Sequence, residues 1–461
     1  MIRFVFCIGA TMLLSSCVQG PDYQNPGALT GAGWKQSSAS QGTVLPDEWW
    51  RLYGDGALNR IVSLALEANQ DLAAARSRVD TARALVGAAK AGWWPQVNSS
   101  AGLTSARSSA GNVQLPPGFT QDLTSTSLRA SLDLSYEPDL WGRVRRQTES
   151  AQASLRASAD RLAALRLSVA AEVVRTYFLW RSLGMQAVVL QETVKWRQDS
   201  VEMQSSRSQA GLIAGSDVSR AQAELELSKA DLESVKRQRG SAEHALAALC
   251  GQPPSTFHAS AGGSLKVPEI HPGMPSTLLL RRPDLSALEQ TIVAANAEIG
   301  VAQAAMLPSF KLLGSGGLQS LNAGSFLNWE NRVLSIGPSV TSTVFDGGRL
   351  KANVRAAVSR RDEAVAQWRQ AVIVAMREVE DALLDLKGLA SQDRILSSAA
   401  EAAAEANRLA LERYEKKITA YFEVIDTSRT LLSIRLARAQ IAGQRCAAAA
   451  ALARALGGGW R

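Results

Sequence analysis

Glu137-Pro-Asp-Leu-Trp-Gly-Arg143 and Phe345-Asp-Gly-Gly-Arg349 are the two stretches on which the reading of this chain turns. Each is preceded by the same succession: Trp94-Pro95 or Leu307-Pro308, a strand-like stretch, a polar loop and a second strand-like stretch. Each is followed by a run far longer than a globular helix. No proline occurs between Pro138 and Pro253, and none after Pro338, which permits very long helices. A duplicated unit that joins a β-hairpin to very long helices predicts a tube-like architecture in preference to a compact enzyme.

The helical runs carry a seven-residue period. Val358, Val365, Val372, Val379 and Leu386 recur in sevens, with Val354, Trp368, Ala375, Ala382 and Leu389 in the neighbouring seam. Leu155, Leu162, Val169, Leu183 and Leu190 do the same in the first half, with Thr176 in the gap. A sustained heptad demands partner helices and a left-handed supercoil. A helix from Arg143 to Ala210 would extend about 100 Å. Each run is broken once by a turn, Ala210-Gly-Leu-Ile-Ala-Gly-Ser-Asp217 in the first half and Lys416-Lys-Ile-Thr-Ala-Tyr421 in the second, after which the chain must fold back antiparallel.

The strand-like stretches alternate with period two. Leu128, Ala130, Leu132, Leu134 and Tyr136 face away from Ser127, Arg129, Ser131, Asp133 and Ser135. Phe310, Leu312, Gly314, Gly316 and Leu318 alternate with Ser309, Lys311, Leu313, Ser315 and Gly317, and Ile336, Val340 and Val344 alternate with Ser339, Thr341 and Thr343. Strands of about ten residues with one apolar and one polar face suit a transmembrane barrel. A half-buried soluble sheet would alternate alike, but Trp93, Trp94, Tyr136 and Trp141 at the strand ends favour an interfacial aromatic belt. Four strands cannot close a barrel, and open edges cannot be left in hydrocarbon. The chain must therefore oligomerise; two copies would give eight strands and three would give twelve.

The N-terminus sets the compartment. Arg3 precedes an apolar run from Phe4 to Leu14 that is too short to span a bilayer and ends in Leu14-Ser-Ser-Cys17, which resembles a bacterial lipobox. Residues 1–16 are then a signal peptide and Cys17 the acylated first residue of the mature chain. Val18 follows, where an inner-membrane lipoprotein would carry Asp, so an outer-membrane destination is expected. Cys7 is lost with the signal, and Cys250 and Cys446 occupy no equivalent places in the repeats, so no structural disulfide is expected. The net charge of +8 is spread among interspersed acidic and basic residues, a solvated helical face and not a nucleic-acid footprint.

Several segments together resemble one family. Cys17-Val-Gln-Gly-Pro-Asp-Tyr-Gln-Asn-Pro26, Glu48-Trp-Trp50 with Tyr53-Gly-Asp55 and Leu58, Ala65 to Leu72, and Leu280-Arg-Arg-Pro-Asp-Leu285 leading to Glu289 and Ile299-Gly300 are similar, in this order and spacing, to the TolC-like outer-membrane factors, in their lipoprotein, NodT-like branch. The resemblance implies a mainly α fold with a membrane β-barrel: a homotrimer whose twelve-stranded β-barrel, four strands per chain, is fused to an α-helical barrel in the periplasm. It implies a periplasmic adaptor, an inner-membrane RND-type pump and outer-membrane lipid as partners. The protein would be a passive gated conduit for drugs and other toxic small molecules.

The expected organisation is a lipid-anchored extended segment over residues 17–57, a first repeat over 58–251, a linker over 252–275 and a second repeat over 276–461. The hairpins fall at about 94–137 and 308–346, the long helices at 143–250 and 349–456, and the tips near 211–217 and 416–426. Arg282-Pro283-Asp284 reads as a helix start, with Ser286 and Glu289 as a capping box. The acidic residue and glycine of each junction, Asp139 with Gly142 and Asp346 with Gly347, read as a strand-to-helix turn with a carboxylate at the helix N-terminus.

Function is expected at the tips. Asp426 matches the family's acidic ring at the periplasmic entrance, Phe422 an apolar gate position, and Arg413 and Tyr414 residues that tie neighbouring helices closed; Asp217 joins them from the first tip. A carboxylate ring would attract cations. The ordinary readings are Asp426 and Asp217 as helix caps, Phe422 as packing and Arg413 as a surface pair. Lys417 stands where the family usually has glycine, which would alter the tip turn. His244, His258 and His271 are scattered, the methionines do not cluster, and no phosphate loop or nucleophile constellation occurs, so neither enzyme chemistry nor a metal or other cofactor is expected. A structural or adaptor coiled-coil lipoprotein of the periplasm would share the signal and heptads, but would have no use for amphipathic strands flanked by tryptophan.

Overall fold

The computed structural model describes residues 18–27, 33–35, 45–107, 124–263, 265–275 and 281–459; Cys17 and the signal segment lie outside the described residues. After a short 3-10 helix (Trp49–Tyr53), α1 (Gly56–Ala68) leads to α2 (Gln70–Ala91), β1 (Gln96–Arg107), β2 (Thr124–Tyr136), α3 (Arg143–Gln209) and α4 (Gly215–Leu249). The second repeat runs α5 (Pro283–Ala304), β3 (Ser309–Ser320), β4 (Arg332–Thr341), α6 (Arg349–Glu415) and α7 (Tyr421–Ala455). Corresponding helices have equal lengths: 22 residues in α2 and α5, 67 in α3 and α6, 35 in α4 and α7. No described helix is long and apolar enough to cross a membrane.

Two compact units emerge, one from residues up to 26, 80–157 and 289–366, the other from 27–79, 158–288 and 367–461. The first holds the sheet, an antiparallel array in the order β1-β2-β3-β4. Its register sets Leu134 beside Val97 and Gly314, and Gly314 beside Ile336, so the apolar positions of all four strands share one face. That face is open in a single chain, with Ile336 at 74% exposure and Leu334 at 84%. On the polar face, Asp133 accepts hydrogen bonds from Ser315 at 2.6 Å, Ser131 at 3.1 Å and Ser100 at 3.3 Å, which satisfies the carboxylate across three strands. β1 and β4 each have one neighbour, leaving an edge on either side.

Both junctions have the expected construction. Asp139 accepts from the amides of Val144 and Arg145 at 3.0 and 2.9 Å, and Asp346 from those of Gly348 and Leu350 at 2.9 and 2.8 Å. These donors have no intrahelical partner, so the carboxylates supply it. The same amides, Leu350 foremost, hold Asp346 below the usual carboxylate range. Gly142 at φ +73° and Gly347 at φ +67° adopt the left-handed backbone that such a turn requires. Trp141 Nε1 donates to Pro308 O at 2.7 Å, tying the first junction to the start of the second hairpin.

The second unit contains the main core. Trp49, Tyr53, Leu58 and Val62 pack with Val173, Tyr177 and Phe178 of α3, Leu246 of α4, and Ala449 and Leu452 of α7. Helices α3 and α7 approach closely at Gly443, where a Cβ would lie 2.6 Å from Ser182 Cβ. Asp55 caps α1 through the amides of Ala57 and Leu58, and its other oxygen accepts from Tyr177 at 2.8 Å and Arg181 at 2.9 Å. Cys250 and Cys446 are buried free thiols.

Pro283 is the first residue of α5, as its motif implied. The expected capping box does not form, because Ser286 is already inside the helix. Ser286 instead donates to Asp160 at 2.7 Å, and Glu289 accepts from Tyr23 at 2.9 Å. Arg282 is buried and reaches Asp284, Glu378 and the carbonyl of Ala455. Burial would raise the Asp284 carboxyl, but the Arg282 fork outweighs it and holds it low.

Candidate functional site at the helical hairpin turns

The two tip turns have the same backbone. In the first, Gly211 N donates to Ser208 O at 2.9 Å and Leu212 N to Arg207 O at 2.9 Å. In the second, Lys417 N donates to Tyr414 O at 3.0 Å and Ile418 N to Arg413 O at 2.8 Å. This is a Schellman motif, which satisfies the last carbonyls of a helix and places one residue in the left-handed region. Gly211 takes φ +69° and Lys417 φ +60°, the one positive value at a non-glycine among the described residues. The replacement of glycine by Lys417 therefore leaves the turn unaltered.

The N-cap positions of the returning helices are held by Ala214 and Ala420, neither of which offers a side-chain cap. Asp217 is thus the third residue of α4, and Asp426 the sixth of α7, so the reading of both as caps is corrected. Asp217 keeps the favourable place of an acidic side chain in a first turn.

Behind the turns, Val201 of α3, Ala221 and Leu225 of α4, Ala410 and Tyr414 of α6, and Tyr421, Val424 and Ile425 of α7 form a buried cluster. Polar groups inside it join the hairpins. Tyr414 donates to Gln204 Oε1 at 2.9 Å, and the Tyr421 hydroxyl lies 2.5 Å from Ser200 Oγ. The two tyrosine rings are 5.4 Å apart, and the Arg207 guanidinium sits 5.0 Å over Tyr414. Burial pushes the Tyr421 phenol up from its usual range.

A charged cluster that sequence reasoning missed lies beside these tyrosines. Glu224 of α4 pairs with Arg197 of α3 at 2.9 Å, both side chains 7% exposed, and Arg197 also lies 2.5 Å from Ser228 Oγ. The other Glu224 oxygen accepts from Arg429 of α7. Burial lowers the Arg197 guanidinium from its usual range, whereas the bond to Glu224 raises that of Arg429. The signal in the sequence was Glu224 itself, a carboxylate next to Leu225 on the apolar side of its helix.

The remaining expected residues are outside the cluster. Asp426 and Phe422 are exposed, Phe422 at 59%. Arg413 pairs with Glu423 at 3.3 Å within its own hairpin, in contact with solvent. Of the residues expected to tie helices closed, only Tyr414 joins one hairpin to the other. Among the described residues no group of side chains could hold a metal ion.

An amphipathic four-stranded sheet with two open edges, continued into two long helical hairpins, defines a subunit of an outer-membrane channel. The chain belongs to the outer membrane efflux protein family, whose profile matches residues 61–252 and 274–458, and is the outer-membrane channel component of an efflux system. It is 32% identical over 455 residues to outer membrane protein OprJ of Pseudomonas aeruginosa, covering 97% of this chain and 94% of that one. The solved outer-membrane channel OprN superposes with a TM-score of 0.86 at 30% identity, over 96% of this chain and all of that one (100%). The open state of the Neisseria gonorrhoeae MtrE outer membrane channel gives a TM-score of 0.84 at 28% identity, over 96% of this chain and 99% of that one. The family consists of channel and efflux proteins, not enzymes.

Proposed function

We propose that three copies of this chain form a passive, gated conduit, anchored by lipid on Cys17, that receives drugs and other toxic small molecules from a periplasmic adaptor and an inner-membrane RND-type pump. The observation that carries the reading is the sheet. Its apolar side chains share one exposed face, and its edge strands β1 and β4 have hydrogen-bonding groups to offer a neighbour. Three copies make a twelve-stranded closed barrel with the Asp133 face turned to the lumen. The exposed Leu384, Ile395 and Leu409 of α6 await the same neighbours.

In the closed gate, Tyr414, Tyr421 and Arg429 hold the second hairpin against Gln204, Ser200 and Glu224 of the first. Opening separates these three contacts while Arg197 keeps Glu224 compensated, so no lone charge is left buried. At the mouth, threefold repetition makes a carboxylate ring of Asp426 and an apolar ring of Phe422, which admit cations more readily than anions. Asp217 and Arg413 flank that entrance.

Bilayer recording with the detergent-purified protein tests the proposal. The expected result is a complex of three chains with discrete, cation-selective conductance. A water-soluble monomer, or a lipid-bound complex without conductance, would sink it, the latter in favour of a coiled-coil scaffold.

A further inference from the structure

The loop from Leu321 to Asn331 joins β3 to β4 at the end of the sheet opposite the helices, which meet the strands at Gln96, Tyr136, Ser309 and Thr341. It is held by its own hydrogen bonds: Asn322 accepts from the Gly324 amide at 3.0 Å, and Asn331 Nδ2 donates to Ser325 O at 2.6 Å. So built, it presents Leu321 at 71% exposure, Leu327 at 82% and Trp329 at 73%. That concentration of large apolar side chains suits a membrane boundary and not bulk water. Arg332 follows directly. Its guanidinium stacks over the Trp329 ring, 4.6 Å from the centroid, and Nη1 donates to Trp329 O at 2.9 Å. Among the described residues no carboxylate pairs with it, Glu330 included. The register sets Arg332 beside Leu318, and through it in line with Ala130 and Ala101, on the apolar face. From Val340 to Arg332 the strand climbs about 27 Å, which at a tilt of about 40° crosses most of the roughly 25 Å apolar band of an outer-membrane barrel. Arg332 therefore stands at one edge of that band, where an arginine is tolerated.

A second arginine shares this face. Arg107 ends β1 in the row of Val97 and Leu103, which pair with Leu134 and Leu128. It too has no ionic partner among the described residues. Because Arg332 is in line with Ala101, Arg107 lies further toward the loops than its register partner on β4. That offset is the stagger that tilted strands need if their ends are to be level. Closing the barrel carries the stagger on by one more strand, which sets Arg332 of β4 beside Arg107 of the next copy's β1. We propose that each seam of the barrel binds an outer-leaflet glycolipid of the lipid A type, its phosphate on Arg332 and the next copy's Arg107, its acyl chains against Trp329, Leu327 and Leu321. Guanidinium forks match phosphate oxygens bidentately. A phosphomonoester on glucosamine carries roughly −1.5 to −2, enough for both arginines, whereas a phospholipid diester carries a single charge. The site rests on the three-copy reading above and on its periplasmic helices, which put the loops on the outer side.

Native mass spectrometry of the full mature protein, purified and delipidated in detergent, tests this with three added probes: lipid A, lipid A stripped of its phosphates, and phosphatidylglycerol. Three chains should retain lipid A, one per seam, and bind the other two probes far more weakly. Arg332→Ala and Arg107→Ala should each weaken lipid A binding by about tenfold, the loss of one charged hydrogen-bonding partner. The same spectrum reports whether each variant still assembles. Should alanine at 332 disrupt assembly, Arg332→Gln keeps the stem over Trp329 and removes only the charge. Equal retention of phosphatidylglycerol or of dephosphorylated lipid A would overturn the site, as would lipid A binding that survives both substitutions together. Three chains that hold no lipid A would remove the glycolipid site and leave the conduit standing. A single chain would overturn the three-copy reading and the seam with it.

Discussion

The two helical hairpins match in length yet are closed by different means. The first is pinned by Arg197 and Glu224, whose charges are almost wholly out of water, with Ser228 accepting a further hydrogen bond from Arg197. The second is pinned by the solvent-exposed pair of Arg413 and Glu423, with Thr427 donating to Asn407 at 3.2 Å. Separating a buried ion pair strands two desolvated charges, while an exposed pair contributes little. On that contrast, the gate proposed above would keep the first hairpin as its frame and open by moving the second.

The strongest way to break this contrast is Glu224→Ala. It leaves Arg197 buried without a counter-charge and frees Arg429 in the same stroke, at a local cost of about 3–5 kcal/mol. Conductance should rise most in this variant, and limited proteolysis should cut the tip turns. Wild-type conductance with intact tips would remove Glu224 from the gate. Tyr414→Phe comes next. Gln204 is completely buried and its Nε2 already has no partner, so loss of the tyrosine hydroxyl also orphans Oε1, at about 1–3 kcal/mol. A conductance increase smaller than that of Glu224→Ala is expected. Arg429→Ala should do less again, below about 1 kcal/mol, because Glu224 keeps Arg197 and more than half of the Arg429 side chain is in water. If Arg429→Ala opened the channel more than Glu224→Ala, the frame would be the mobile part and the contrast would be reversed.

Most of the fold was legible because it is written in local periodicity. The gap between Pro138 and Pro253 allows a 67-residue helix, and the alternation of Leu128 to Tyr136 gives a strand whose face is right in the observed register. The junction glycines and aspartates could be read because their roles are settled within a few residues of themselves. Ser286 with Glu289 had the spacing of a capping box, but their real partners, Asp160 and Tyr23, are brought in by the fold. The same holds at the tips. Glu224 and Arg429 are 205 residues apart, and no local pattern joins them. Asp217 and Asp426 looked like caps because an acidic residue near a helix start is a common one, yet the turn places alanine at both cap positions.

The smallest effect is the most direct test of the equivalence of the two turns. Lys417 holds a left-handed backbone that costs an L-residue about 1–2 kcal/mol relative to glycine, whereas glycine loses about 0.5–1 kcal/mol more entropy on folding. The strain term is the larger, so Lys417→Gly should stabilise the second tip by a few tenths to about 1 kcal/mol. Gly211→Ala should do the opposite at the first tip. No atom lies within 4 Å of the Cβ it would add, so its whole cost is backbone strain, again about 1 kcal/mol after the entropy gain. Hydrogen exchange of the tip amides measures both, Leu212 reporting the first turn and Ile418 the second. Slower exchange at Ile418 in Lys417→Gly, with faster exchange at Leu212 in Gly211→Ala, would show two copies of one turn under opposite strain. Equal exchange in wild type and Lys417→Gly would mean that the lysine side chain stabilises the turn enough to offset its backbone, and the second tip would then be specialised where the first is generic.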